Sequence, residues 1–135
     1  MPTFNDPVKD AEKARQALRG LAYATREIDD PASVYNLLGT LSQTIASMEQ
    51  TLHQIAAFHD SLKRRDLRPV VADSAQSGYA TSFQVSWELH RAAEITRQVG
   101  KAVDHAHELE ARIAYSRPVE PTARANATSR NGISL

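Results

Sequence analysis

The chain has no cysteine, which excludes disulfides, thiol nucleophiles and cysteine-ligated zinc. Aromatic residues make up 6% of it, with a single tryptophan, so a core has to come from aliphatic and small side chains. The five glycines are scattered. They form neither a loop that cradles phosphate nor the Gly-x-Ser-x-Gly turn that presents a nucleophile. No run approaches the roughly 18 apolar residues of a membrane span. Residues 1–10 lack the basic and apolar regions of a signal peptide, so the expected compartment is cytoplasmic. The formal charge is zero, which removes the basic bias of a dedicated nucleic-acid binder.

What the chain does have is helical periodicity. Val34, Leu38, Leu41, Ile45, Met48, Leu52, Ile55, His59 and Leu62 alternate at steps of four and three. This spacing draws one stripe along a helix of about eight turns, which needs partner helices to cover it. The first helix opens at Asp6-Pro7, a favoured cap and first-turn pair. Its stripe is Ala11, Ala14, Leu18, Leu21, Thr25 and Ile28. Asp29-Asp30-Pro31 ends it and starts the second helix, a connection short enough to predict an antiparallel hairpin. The second helix closes in the basic segment from Lys63 to Arg68, where cations suit the negative end of the dipole.

The third helix starts between Asp73 and Ser82, capped by Asp73 or by a Thr81–Gln84 capping box. Val85, Leu89, Ala92, Thr96, Val99, Val103 and Ala106 form its stripe, which drifts toward Ile95, Ala102, Leu109 and Ile113. It ends before Arg117-Pro118. Residues 116–135 have no periodicity and a composition that buries little surface, so they read as a disordered or partner-ordered tail. The expected fold is all-α: an antiparallel three-helix bundle over residues 1–115, with helices at about 7–29, 31–63 and 74–115. Three rods of such unequal length leave an overhang, and a homodimer is one way to cover it. Residues 1–62 carry five Lys/Arg against eight Asp/Glu, and residues 63–135 eleven against eight. The halves therefore have opposite net charge and attract one another or a second copy.

Few residues carry chemistry. Glu49 and His53 have a one-turn spacing, as do Asp104 and Glu108, but no His-Glu-x-x-His or paired Glu-x-x-His occurs, so no metal or other cofactor is inferred. His59 sits in the core stripe and reads as a hydrogen-bonded core histidine. Arg97 precedes His105 by eight residues, one more than the arginine-to-histidine spacing of helical ribonucleases. Asn126-Ala-Thr128 matches a glycosylation acceptor but has no secretory context. Nothing here predicts an enzyme, and no small-molecule substrate is inferred.

Two surface features remain. Tyr79, Phe83 and Trp87 are spaced by four, with Phe83 and Trp87 nearly opposite Val85 and Leu89 on the helix. Clustered exposed aromatics anchor protein interfaces, unless the N-terminal arm covers them through Phe4. Lys63, Arg64, Arg65 and Arg68 form a basic patch, with Arg117, Arg124 and Arg130 in the tail. Phosphate contacts from these would be salt-dependent and blind to sequence.

The stretch Val34-Tyr35-Asn36-Leu37-Leu38-Gly39-Thr40-Leu41, followed by Leu52-His53-Gln54-Ile55, resembles small helical proteins of unknown function from actinobacterial plasmids and integrative elements. That resemblance brings no active site. The helical-hairpin substrates of type VII secretion carry Trp-x-Gly in a turn, whereas Trp87 here precedes Glu88-Leu89 inside a helix. The sequence thus predicts a helical interaction or scaffold protein that binds a protein partner or a second copy through Tyr79, Phe83 and Trp87. The alternative is a nucleic-acid accessory protein that uses residues 63–68 and the tail.

Overall fold

A computed structural model of the chain describes residues 1–72 and 78–118. It contains α1 (Pro7–Ala24), α2 (Ser33–Asp60) and α3 (Gly78–Glu110). No strand occurs among the described residues, and none of the helices there is long and apolar enough to cross a membrane. The all-α, three-helix expectation holds. The proposed Asp73 cap, most of the tail, Arg124, Arg130 and Asn126 lie outside the described residues. Thr81 lies inside the first turn of α3, so the Thr81–Gln84 box is not its start.

α1 is capped by its own sequence. Asp6 accepts from the Lys9 amide, and Pro7 supplies the fixed φ of a first turn. A second ring of bonds lies outside it. The Asp10 carboxylate accepts from the Thr3 amide at 2.6 Å and the Phe4 amide at 3.0 Å. The Thr3 hydroxyl in turn accepts from the Asp6 amide at 2.8 Å. These amides hold the Asp10 carboxyl below its usual range. Phe4, at φ 62°, points away from the protein and is 89% exposed, so the N-terminal arm covers no aromatic cluster.

α1 ends five residues before the sequence predicts. The Thr25 amide and hydroxyl both donate to the Leu21 carbonyl, and the hydroxyl also reaches the Ala22 carbonyl, which a further turn would have bonded. The connection 25–32 is therefore longer than the short links that force neighbouring helices together. Within it, the Asp30 carboxylate accepts from the Ala32 amide and builds a turn at Pro31 ahead of α2. Asp30 thus caps that turn, and α2 itself starts from Ala32 without a side-chain cap.

The expected α1–α2 hairpin does not form. Helix packing among the described residues lies between α2 and α3, and no α1 residue is buried. The α2–α3 pair is antiparallel: Gly39 meets His107, Ile45 meets Gly100, His53 meets His90 and His59 meets Ser82. On α3 the seam runs through Ser82, Ser86, Ala93 and Gly100, at steps of four, seven and seven. Ala56 and Ala93 are fully buried where the helices cross. The α3 stripe predicted from Val85, Val99 and Ala106 flanks this seam. Small residues win the seam because they let the two backbones approach, and the larger α2 side chains Ile45 and Leu52 fill the space they leave. A Cβ on Gly100 would already sit 3.3 Å from Ile45.

α2 stops at Asp60, and a series of turns carries the chain past Asp66, at φ 56°. The returning segment lies so close to the start of α3 that a Cβ on Gly78 would overlap the Pro69 carbonyl. α3 unwinds after Glu110 through Arg112–Leu109 and Ile113–Glu110 backbone bonds. In the described residues only Ala56, Leu62 and Ala93 are buried apolar residues, and no large side chain is fully buried.

Candidate interaction surfaces and the polar seam

The polar side of the seam gathers residues that the sequence kept apart. Ser86, buried on α3, donates to the Asp60 carboxylate at 2.5 Å. The other Asp60 oxygen lies 3.2 Å from His90 Nε2, and His90 Nδ1 lies 2.8 Å from His53 Nδ1. An ionised carboxylate only accepts, so His90 carries its proton on Nε2. The Nδ1–Nδ1 contact takes one ring as donor and the other as acceptor. The Ser86 hydroxyl and then the His90 ring hold the Asp60 carboxyl below its usual range. One turn away, His59 Nδ1 lies 2.9 Å from the Ser82 hydroxyl. His59 is thus a hydrogen-bonded seam residue, as its place in the stripe implied.

These groups pin α2 to α3. Both His90 ring nitrogens are engaged, and Ser86 donates to the carboxylate, so the one seam hydroxyl among the described residues that faces an imidazole is Ser82, opposite His59. No group of three or more His, Asp or Glu side chains among the described residues is arranged to hold a metal ion. Glu49 and His53 line an open depression with His90. Asp104 is taken by the Ser42 hydroxyl, and Arg97 pairs with Glu94 at 2.6 Å. His107 stacks obliquely on Tyr35, with centroids 4.2 Å apart.

The aromatic trio divides. Tyr79 turns toward the linker: its hydroxyl donates to the Leu67 carbonyl at 3.3 Å, and the Lys63 ammonium lies over its ring. Phe83 and Trp87 remain together in the open, 68% and 55% exposed. They line a shallow depression with Gln84 and Glu88, and Arg91 sits over the indole at 5.7 Å. The basic cluster occupies the end of the hairpin. Arg65 bonds the Ser61 hydroxyl and lies over Phe58, while Lys63, Arg64 and Arg68 are exposed.

A second apolar surface was not singled out from the sequence. With the α2–α3 contacts fixed and each residue turning by about 100°, Leu41, Met48 and Ile55 fall on one side of the seam. Val85, Ala92 and Val99 of α3 fall on that same side, whereas Phe83, Trp87 and His90 face the other. Both rows repeat every seven residues, the signature of helices that expect a further helix between them. Met48, Ile55 and Val99 are 42%, 46% and 48% exposed. The signal was present in the sequence, but the stripe of α2 is wide, and only packing tells which half α3 covers. No family model, no curated protein and no solved structure matches the chain.

Proposed function

We propose that the protein is a non-enzymatic helical association module, which completes its fold and acts by binding protein surfaces. The supporting observation is the uncovered apolar surface. Three described apolar residues are buried, while Phe83, Trp87, Met48, Ile55 and Val99 lie open. An apolar surface on this scale in a folded domain marks an interaction site. The Phe83–Trp87 pair supplies the aromatic anchor that interfaces favour, with Arg91 beside it.

The test uses the full chain carrying Phe83→Ala/Trp87→Ala. Neither ring packs in the helix seam, so helicity by circular dichroism is expected to stay at the wild-type level. Binding of protein partners captured by the wild type is expected to fall by roughly tenfold or more. Unchanged capture together with an unchanged light-scattering mass would defeat the aromatic-patch reading.

A second reading, contact with nucleic acid, draws on the exposure of Lys63, Arg64 and Arg68 at the hairpin end. It predicts gel retardation of duplex DNA or RNA at low salt, released as salt rises because phosphate contacts exchange with counterions. Absence of retardation at low salt removes it.

A further inference from the structure

We infer that a second copy of this chain docks through α1: the α1 helix of each copy lies in the apolar groove between α2 and α3 of the other. This rests on the reading of the chain as an association module and names its partner.

Three observations carry it. First, α1 is a finished helix without a packing partner. Both its ends are satisfied locally by Asp6, Asp10 and Thr25, yet Leu18 is 38% exposed and no residue of the helix is buried. An isolated helix of this length is marginal in water, so its apolar stripe calls for a groove. Second, the hairpin offers one. Leu41, Met48 and Ile55 face Val85, Ala92 and Val99 across the seam, a two-row surface of the kind a third helix fills. The chain's own α1 does not occupy it. The connection 25–32, up to about 27 Å if extended, is long enough to deliver α1 to a neighbour.

Third, the area suffices. A helix of 18 residues is about 27 Å long. Burying half of its ~10 Å-wide girth removes roughly 850 Å² from helix and groove together, and two reciprocal contacts remove roughly 1,700 Å². That is the size of a stable specific interface. The exchange is two-fold symmetric and therefore closes at two copies. It also covers α1, which pairing of two hairpins alone would leave bare.

The experiment is light scattering on the full chain across a concentration series, with circular dichroism at each point. The wild type is expected to run at twice its 14.9 kDa mass. Leu18→Ala/Leu21→Ala keeps helix propensity and touches no contact between α2 and α3. It is expected to raise the dimer dissociation constant by roughly a hundredfold or more. Met48→Ala/Ile55→Ala, on the groove side, is expected to do the same, and Phe83→Ala/Trp87→Ala to leave the dimer intact. The absence of cysteine allows single labelled cysteines at Arg19 on one copy and Lys101 on another, with energy transfer expected only after mixing. A dimer that survives the α1 variant overturns the inference and leaves the association reading standing. A dimer lost only with the aromatic pair moves self-association to the other face. A wild type that stays monomeric overturns the inference and leaves the aromatic patch to a different protein.

Discussion

Ala93→Leu is expected to destabilise the protein by about 1–3 kcal/mol, the usual penalty for overpacking a closed seam. For a chain of this size that lowers the thermal midpoint by roughly 4–11 °C. Ala93 is fully buried at the step of α3 that sits between Ser86 and Gly100. Three extra carbons there have no vacant space to enter. They have to push α2 away or leave their rotamer well, and either response loosens the His53–His90 and Ser86–Asp60 bonds toward the N-terminal end of α3. The control is Ala102→Leu, which makes the same change at an exposed position of the same helix and is expected to alter stability by under about 0.5 kcal/mol. Urea unfolding of both variants at one protein concentration checks this. Equal stability for the two would mean that the α2–α3 seam is not closed at Ala93.

Asp60→Ala carries the second large effect, which is pH-dependent. Removing the carboxylate leaves the buried Ser86 hydroxyl without its acceptor and frees His90 from its orienting partner, at about 1–3 kcal/mol near neutral pH. The sign of the pH dependence follows from the lowered pKa of Asp60. A carboxyl that is more acidic in the folded than in the unfolded state stabilises the fold fully above its unfolded value. That contribution disappears as pH falls from the ordinary aspartate value of 3.8 through the lower folded value. The wild type is therefore expected to lose stability on acidification through this range, and Asp60→Ala to lose less over the same interval. Glu12 and Glu94 are also held below their usual values, by Arg15 and Arg97, so the difference between the two curves is the informative quantity. Parallel curves would show that Asp60 does not carry the seam's acid sensitivity.

The local devices were legible in the sequence because each depends on neighbours in the chain. Asp6-Pro7 opens α1 as a cap and first-turn pair in both readings. The break at Asp29-Asp30-Pro31 is present, although the helix before it stops sooner. Thr25 bonds back to the last turn of α1 as Thr44, Thr51 and Thr96 do inside their helices, so that bond alone does not mark the earlier stop. His59 was placed in the seam because its slot belonged to the α2 repeat. The exposure of Phe83 and Trp87 followed from their position opposite Val85 and Leu89 on one helical wheel.

The polar seam was not legible. Asp60, Ser86, His90 and His53 come from two helices, and no spacing along one helix joins them. The α3 seam was placed only in part: Leu89, Thr96 and Val103 of the expected stripe are half-buried along it, but hydrophobicity favours Val85 and Val99 over Ser82, Ser86 and Gly100. Packing reverses that order, because close approach between two helices rewards small side chains and places the larger ones beside the contact.

The sequence by itself determined that the chain is all-α, that α1 opens at Asp6-Pro7, and that α2 carries a long apolar stripe in need of cover, because periodicity and capping act over one or two turns. Only the tertiary structure decided which stripe covers which. It joined α2 to α3 through a small-residue seam and left α1 without a partner. The physical reason is complementarity of shape. A stripe says that a helix face must leave water, while the sizes of the side chains on two facing helices decide whether those faces can meet.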